Sequence, residues 1–169
     1  MSDIQNAFRL IGSLDLTSLS HDDTEEKIAA LCAKAVTPYG TTAAVCVYPE
    51  WVPLARKLLK KTPVKVATVV NFPAGGNDFK LMKDEIKKGL SGGADEIDAV
   101  FPYRDFLAGN TDSCRRFLDI IPRECGKHTS KIILETGELN HVSTIAAAVK
   151  LCLEYDIDFI KTSTGKTPV

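Results

Sequence analysis

The chain has 169 residues, with 21 Lys+Arg against 22 Asp+Glu and a formal net charge of −1. That length fits a single domain over residues 1–169. The balanced charge gives no electrostatic case for nucleic acid or an anionic membrane as partner. No run approaches the roughly 18–20 apolar residues that span a bilayer. The opening MSDIQNAFRL has no basic stretch leading into an apolar core, so a soluble cytoplasmic protein is expected. Five cysteines are scattered without a CxxC pair, which speaks against a disulfide framework or a structural zinc site. His21, His128 and His141 lack the i, i+4 spacing that puts two ligands on one helix face, so no metal is expected.

Taken in chain order, the sequence alternates between two periodicities. Residues 24–35 form a helical stripe through Ile28, Leu31, Cys32 and Ala35, with Asp22 and Glu25 spaced as a capping box. The run 42–48 (TAAVCVY) reads as a strand, 51–60 as a helix and 64–70 (VKVATVV) as a second strand. A helix follows over 79–90 through Leu81, Met82, Ile86 and Leu90, entered at Asn77-Asp78 and closed by Gly92-Gly93. Strand 96–100 (EIDAV), helix 112–121, strand 131–135 (KIILE), helix 142–155 and strand 158–162 (DFIKT) complete the pattern.

Five strands separated by helices imply a parallel sheet, because parallel neighbours need a crossover that a helix supplies. A doubly wound open sheet and a (β/α)₈ barrel both satisfy that rule. No GxGxxG or GxxxxGK[ST] follows the first strand, which removes the main mark of a nucleotide-binding open sheet. Strands buried on both faces normally read as unbroken apolar runs. Here Glu96 and Asp98 alternate onto one face of their strand, and Lys131 and Lys161 stand on the next two. An unpaired buried ion costs several kcal/mol, so these acids and lysines are expected to pair in a shared interior. A barrel supplies one, with its chemistry at the C-terminal ends of the strands.

A lysine inside a barrel is the most informative residue type in the chain. Its ammonium, with an ordinary pKa of about 10.4, is a poor nucleophile. Desolvation and a neighbouring cation both favour the free amine, which attacks a carbonyl to form a Schiff base. Asp98 is placed to carry the protons that imine formation and collapse require. The alternative is an ion pair of Lys161 with Asp98 that performs no chemistry. Gly137 and Gly165 read as turn glycines, and Ser163 and Thr164 as hydroxyls for a substrate or for the local backbone.

Two long motifs, Ala94-Asp95-Glu96-Ile97-Asp98-Ala99-Val100-Phe101-Pro102-Tyr103-Arg104 and Lys161-Thr162-Ser163-Thr164-Gly165-Lys166, resemble the deoxyribose-phosphate aldolase family. So do Asp15-Leu16-Thr17, the segments 42–49 and 68–73, and Glu135-Thr136-Gly137-Glu138-Leu139. The resemblance implies a class I aldolase on a (β/α)₈ TIM barrel. It would cleave 2-deoxy-D-ribose 5-phosphate reversibly to acetaldehyde and D-glyceraldehyde 3-phosphate, without metal or cofactor. It also implies Lys161 as the Schiff-base lysine, Asp98 as the proton relay, and Asp15, Cys46, Thr164 and Lys166 as residues lining the substrate site. A role in cytoplasmic deoxyribonucleotide catabolism and a homo-oligomeric state are further expectations of the family.

Five βα units fall short of the eight strands and about 250 residues of a full barrel. The sequence is therefore expected to be C-terminally incomplete, without the family's second lysine and its phosphate loops. The alternative function is an inactive barrel fragment, or a split-barrel half that acts by binding a partner chain.

Overall fold

A computed structural model describes residues 3–167 as an α/β fold. The chain divides into two compact units. The first holds residues 1–68 and 89–95, the second residues 69–88 and 96–169.

The first unit opens with helix α1 (Asp3–Ile11) and strand β1 (Asp15–Thr17), then helix α2 (Glu25–Lys34). A two-stranded antiparallel ribbon follows, β2 (Val36–Thr37) with β3 (Gly40–Thr41). Strand β4 (Ala44–Val47), a 3₁₀ turn (Pro49–Trp51), helix α3 (Val52–Leu59) and the start of strand β5 (Lys65–Val70) complete it. β1 pairs in parallel with β4, and β4 with β5. α2 starts where Thr24 accepts the Lys27 N–H at 3.3 Å, so the cap is Thr24 rather than the expected Asp22–Glu25 box. Asp22 instead bonds Lys27 Nζ at 2.5 Å. That ammonium, with the Ser20 hydroxyl, holds the Asp22 carboxyl down at about 2. Asp95 fastens the end of the unit, accepting the Val66 N–H at 2.8 Å and pairing with Arg56 at 3.1 Å.

The second unit carries most of helix α4 (Phe79–Gly92), then strand β6 (Glu96–Val100), helices α5 (Tyr103–Leu107) and α6 (Thr111–Cys125), and strand β7 (Thr129–Ile133). The one-turn helix α7 (Thr136–Leu139), helix α8 (Val142–Cys152) and strand β8 (Phe159–Lys161) follow. β6, β7 and β8 pair in parallel in that order. Their core is apolar, with Ile97, Phe101, Phe117, Ile121, Ile132 and Leu134 all buried. Asp78 caps α4 by accepting the Leu81 N–H at 3.0 Å, as the sequence suggests. Asp158 does for β7 what Asp95 does for β5, accepting both the N–H and the hydroxyl of Ser130. Gly75 has φ +59, and a Cβ there would stand 2.4 Å from the Phe101 carbonyl oxygen. Only glycine lets this turn close over the end of β6.

The described residues thus hold six strands in parallel pairing, one more than the five expected. The addition is β1, whose three residues are too few to show a periodicity. The β7 segment also begins two residues earlier than the expected 131–135.

All five cysteines are reduced and buried. Burial pushes the thiols of Cys125 and Cys152 up to about 12 and that of Cys114 to about 11, from an ordinary value of 9.0. A raised folded value leaves stability intact below about pH 9. Above it the unfolded thiols ionise first, and stability falls as the pH climbs toward the folded values. At pH 8, iodoacetamide is expected to leave these three cysteines unlabelled in the folded chain and to label them in denaturant. Rapid native labelling of any of them contradicts this packing.

Candidate active site

The site is built on the shared face of three parallel strands in the second unit. Asp98 lies opposite Lys131 in the β6–β7 register, and Ile133 lies opposite Lys161 in the β7–β8 register. In-register parallel neighbours project to the same side, and alternation returns that side every second residue. Glu96, Asp98, Lys131 and Lys161 therefore share one face, as their spacing predicts.

The four side chains form an alternating line of charge. Lys161 Nζ donates to Asp98 Oδ2 at 2.5 Å. Asp98 Oδ1 lies 3.8 Å from Lys131 Nζ, and Lys131 Nζ lies 2.6 Å from Glu96 Oε2. Asp98 is fully buried and Lys131 nearly so, while the Lys161 side chain keeps 30% exposure. Two carboxylates against two ammoniums make the group neutral, which is the condition for holding four charges out of water. The Phe159 ring also stands 6.0 Å from Lys131 Nζ, at the outer limit of a cation–π contact.

This arrangement supplies what an amine nucleophile needs. Lys161 is the last residue of β8, and its side chain is the most open of the four. Asp98 is a dehydrated carboxylate in direct hydrogen-bond contact with that nitrogen, the geometry required of a proton acceptor and donor. Lys131 is the second cation on the same carboxylate.

The other expected site residues fall into two groups. Thr164 and Lys166 lie in the loop after β8. Thr164 donates both its N–H and its hydroxyl to Glu135, and the Lys166 N–H donates to Thr164 Oγ1 at 3.0 Å. Asp15 and Cys46 belong to the first unit, on the paired strands β1 and β4, where Thr17 is the register partner of Cys46. Cys46 is buried, and its carbonyl accepts the Ser18 N–H at 3.0 Å.

Sequence reasoning assigns Lys131 and Glu96 only a pairing role and assigns Glu135 none. The signal for Lys131 and Glu96 is a charged residue at a strand position whose alternation faces the other acids and lysines. Among the described residues no group of His, Cys, Asp and Glu is arranged to hold a metal ion. No helix of the described residues is long and apolar enough to cross a membrane.

Residues 9–169 match the family model described as DeoC/LacD family aldolase. The chain belongs to the DeoC/LacD aldolase family. Solved structures agree with that placement. A Coccidioides immitis protein assigned as a deoxyribose-phosphate aldolase superposes with a TM-score of 0.90 at 30% identity, over 95% of this chain. QR15, an aldolase, gives 0.85 at 31% identity over 99% of this chain and 71% of its own. The tetrameric deoxyribose phosphate aldolase of Aeropyrum pernix gives 0.82 at 27% identity over 94% of this chain. This DeoC/LacD chain spans 62% of the Coccidioides protein and 66% of the Aeropyrum protein, less than two thirds of either.

Proposed function

We propose that the chain carries the Schiff-base half of a deoxyribose-phosphate aldolase site, built on a (β/α) barrel architecture, with Lys161 as nucleophile and Asp98 as proton relay. The contact between Lys161 Nζ and the buried Asp98 carboxylate is the observation that carries this reading. The substrate is 2-deoxy-D-ribose 5-phosphate, cleaved reversibly to acetaldehyde and D-glyceraldehyde 3-phosphate.

In the resting pair the Lys161 proton is held by Asp98. Lys131 on the far side of that carboxylate spreads its charge over two cations and weakens its hold on the proton. The free amine adds to the substrate aldehyde, giving a carbinolamine. Asp98, once protonated, donates to the departing hydroxyl as water leaves and the imine forms. The iminium is the electron sink. The C3 hydroxyl gives its proton to the Asp98 carboxylate, the C2–C3 bond breaks with its electrons moving into an enamine, and glyceraldehyde 3-phosphate departs. The enamine takes that proton back from Asp98 at its carbon, and water adds to the resulting iminium to release acetaldehyde and the lysine. Thr164 and Lys166, in the loop that follows the nucleophile, are proposed to contact the substrate. A homo-oligomer in the cytoplasm, acting in deoxyribonucleotide catabolism, is the setting this reading implies.

The experiment is an acetaldehyde-release assay on the purified chain with 2-deoxyribose 5-phosphate. Substrate-dependent release that disappears on borohydride treatment supports the aldolase reading. Absence of release alongside a working full-length family member overturns it in favour of a chain that only binds.

A further inference from the structure

Glu135 is an odd residue for its position. It follows β7 and precedes α7 with φ +55 and ψ +64, a left-handed conformation that glycine, asparagine or aspartate would occupy at lower cost. Its side chain is also almost completely buried, at 1% exposure. A strained backbone and a buried carboxylate at one residue persist only where the surroundings hold both in place.

What surrounds the carboxylate is the loop that leaves the nucleophile. The Thr164 N–H donates to Oε1 and Oε2 at 3.3 Å each, and the Thr164 hydroxyl donates to Oε2. Two backbone bonds flank this grip: the Leu134 N–H donates to the Lys161 carbonyl at 3.0 Å, and the Thr136 N–H to the Thr162 carbonyl at 2.8 Å. Three successive residues, 134 to 136, therefore fasten the segment that begins at Lys161, and the middle one does so with its side chain. The left-handed turn at Glu135 lets one short stretch present backbone, side chain and backbone in sequence to the same loop.

The Thr164 hydroxyl is left with a fixed polarity. Its hydrogen is committed to Glu135, and one lone pair takes the Lys166 N–H at 3.0 Å. What remains is an acceptor.

We propose that Glu135 is a positioning residue of the aldolase site. It fixes the loop 162–166 beside Lys161 and turns the Thr164 oxygen into an acceptor for a substrate hydroxyl rather than a donor to a phosphate oxygen. The proposal rests on the aldolase reading given above. Glu135 touches neither the reacting atoms nor the nucleophile; it acts through Thr164.

The test uses Glu135→Gly, which removes the carboxylate while suiting the left-handed backbone, so folding does not obscure the result. KM for 2-deoxyribose 5-phosphate is expected to rise roughly ten- to a hundredfold, the scale of a small misplacement of substrate-holding groups. Borohydride trapping of acetaldehyde, which needs only Lys161 and Asp98, is expected to stay within about twofold, because no group acting on that imine has been moved. An unchanged KM in a folded Glu135→Gly chain overturns the proposal. So does a trapping loss equal to the rise in KM, which would mean a general structural role.

A second measurement stands independent of activity. In the unaltered chain the Thr164 amide is expected to exchange with solvent deuterium much more slowly than its neighbours Ser163 and Gly165. Equal exchange at the three amides overturns the grip itself. An unaltered chain that traps no acetaldehyde, yet protects Thr164, contradicts the aldolase reading and leaves the grip standing.

Discussion

Replacing Lys161 by methionine is expected to abolish borohydride-trapped adducts and acetaldehyde release while the chain still folds. Methionine matches the length of the lysine stem but has no amine, so no carbinolamine can form. The structural cost is bounded by what Asp98 keeps. Its Oδ2 loses the 2.5 Å bond from Lys161, but Oδ1 still faces Lys131 at 3.8 Å. A hydrogen bond to a charged group is worth about 1.5–3 kcal/mol. The ammonium of Lys161, 30% exposed, no longer pays part of its dehydration in the folded state, which offsets some of that loss. Thermal unfolding and intact-mass detection after borohydride reduction separate the two effects. A folded Lys161→Met chain with undiminished turnover ends the assignment of Lys161 as nucleophile.

Asp98 gives the second large effect, and two substitutions divide its roles. Asp98→Asn keeps the shape and an acceptor oxygen but cannot take up and return a proton. A drop in kcat of roughly 10²–10⁴-fold is expected, the usual contribution of a general acid–base. Asp98→Ala removes the carboxylate that lies between the Lys161 and Lys131 nitrogens, so both lose that shared counter-charge. Lys131 retains Glu96 at 2.6 Å. Breaking a buried pair from one side costs about 3–5 kcal/mol, reduced here by the partial exposure of Lys161. Denaturant unfolding of the two variants, read beside their kinetics, checks both statements. A loss in Asp98→Asn below tenfold returns Asp98 to a structural role.

The same four residues show what was legible in the sequence. Acids two apart on one strand and lysines on the next two predict a shared charged face by alternation alone, and the register delivers it. Apart from α1 and α5, which no expectation covered, the longer helices were legible too, because stripes such as Ile28 and Cys32, or Met82 and Ile86, follow a period of 3.6 residues and are buried. Short elements were not. β1 has three residues, too few to show alternation, and α7 has four, too few to show a helical stripe. The start of β7 was misplaced because its first residues, Thr129 and Ser130, are polar. Ser130 is buried through its bonds to Asp158, a contact 28 residues away in sequence. Asp22 drew attention as a cap because its spacing to Glu25 is right, yet Lys27 claims its carboxylate and Thr24 takes the helix end.

Glu135 illustrates a deeper limit. Nothing in its own neighbourhood marks it as left-handed, since that conformation is imposed by a loop beginning 26 residues later, at Lys161. Local propensity describes what a residue prefers. The αL turn at Glu135 goes with its bonds to Thr164, a partner 29 residues away in sequence.

Lys161, and no other amine of this chain, is proposed to form an imine with a phosphorylated deoxy sugar. Borohydride reduction in the presence of 2-deoxyribose 5-phosphate, followed by intact mass and peptide mapping, tests it directly. A single substrate-dependent reduced adduct is expected on the peptide carrying Lys161, absent without substrate and without borohydride. An adduct on Lys131 or Lys166 instead, or none while a full-length family member reacts under the same conditions, contradicts it.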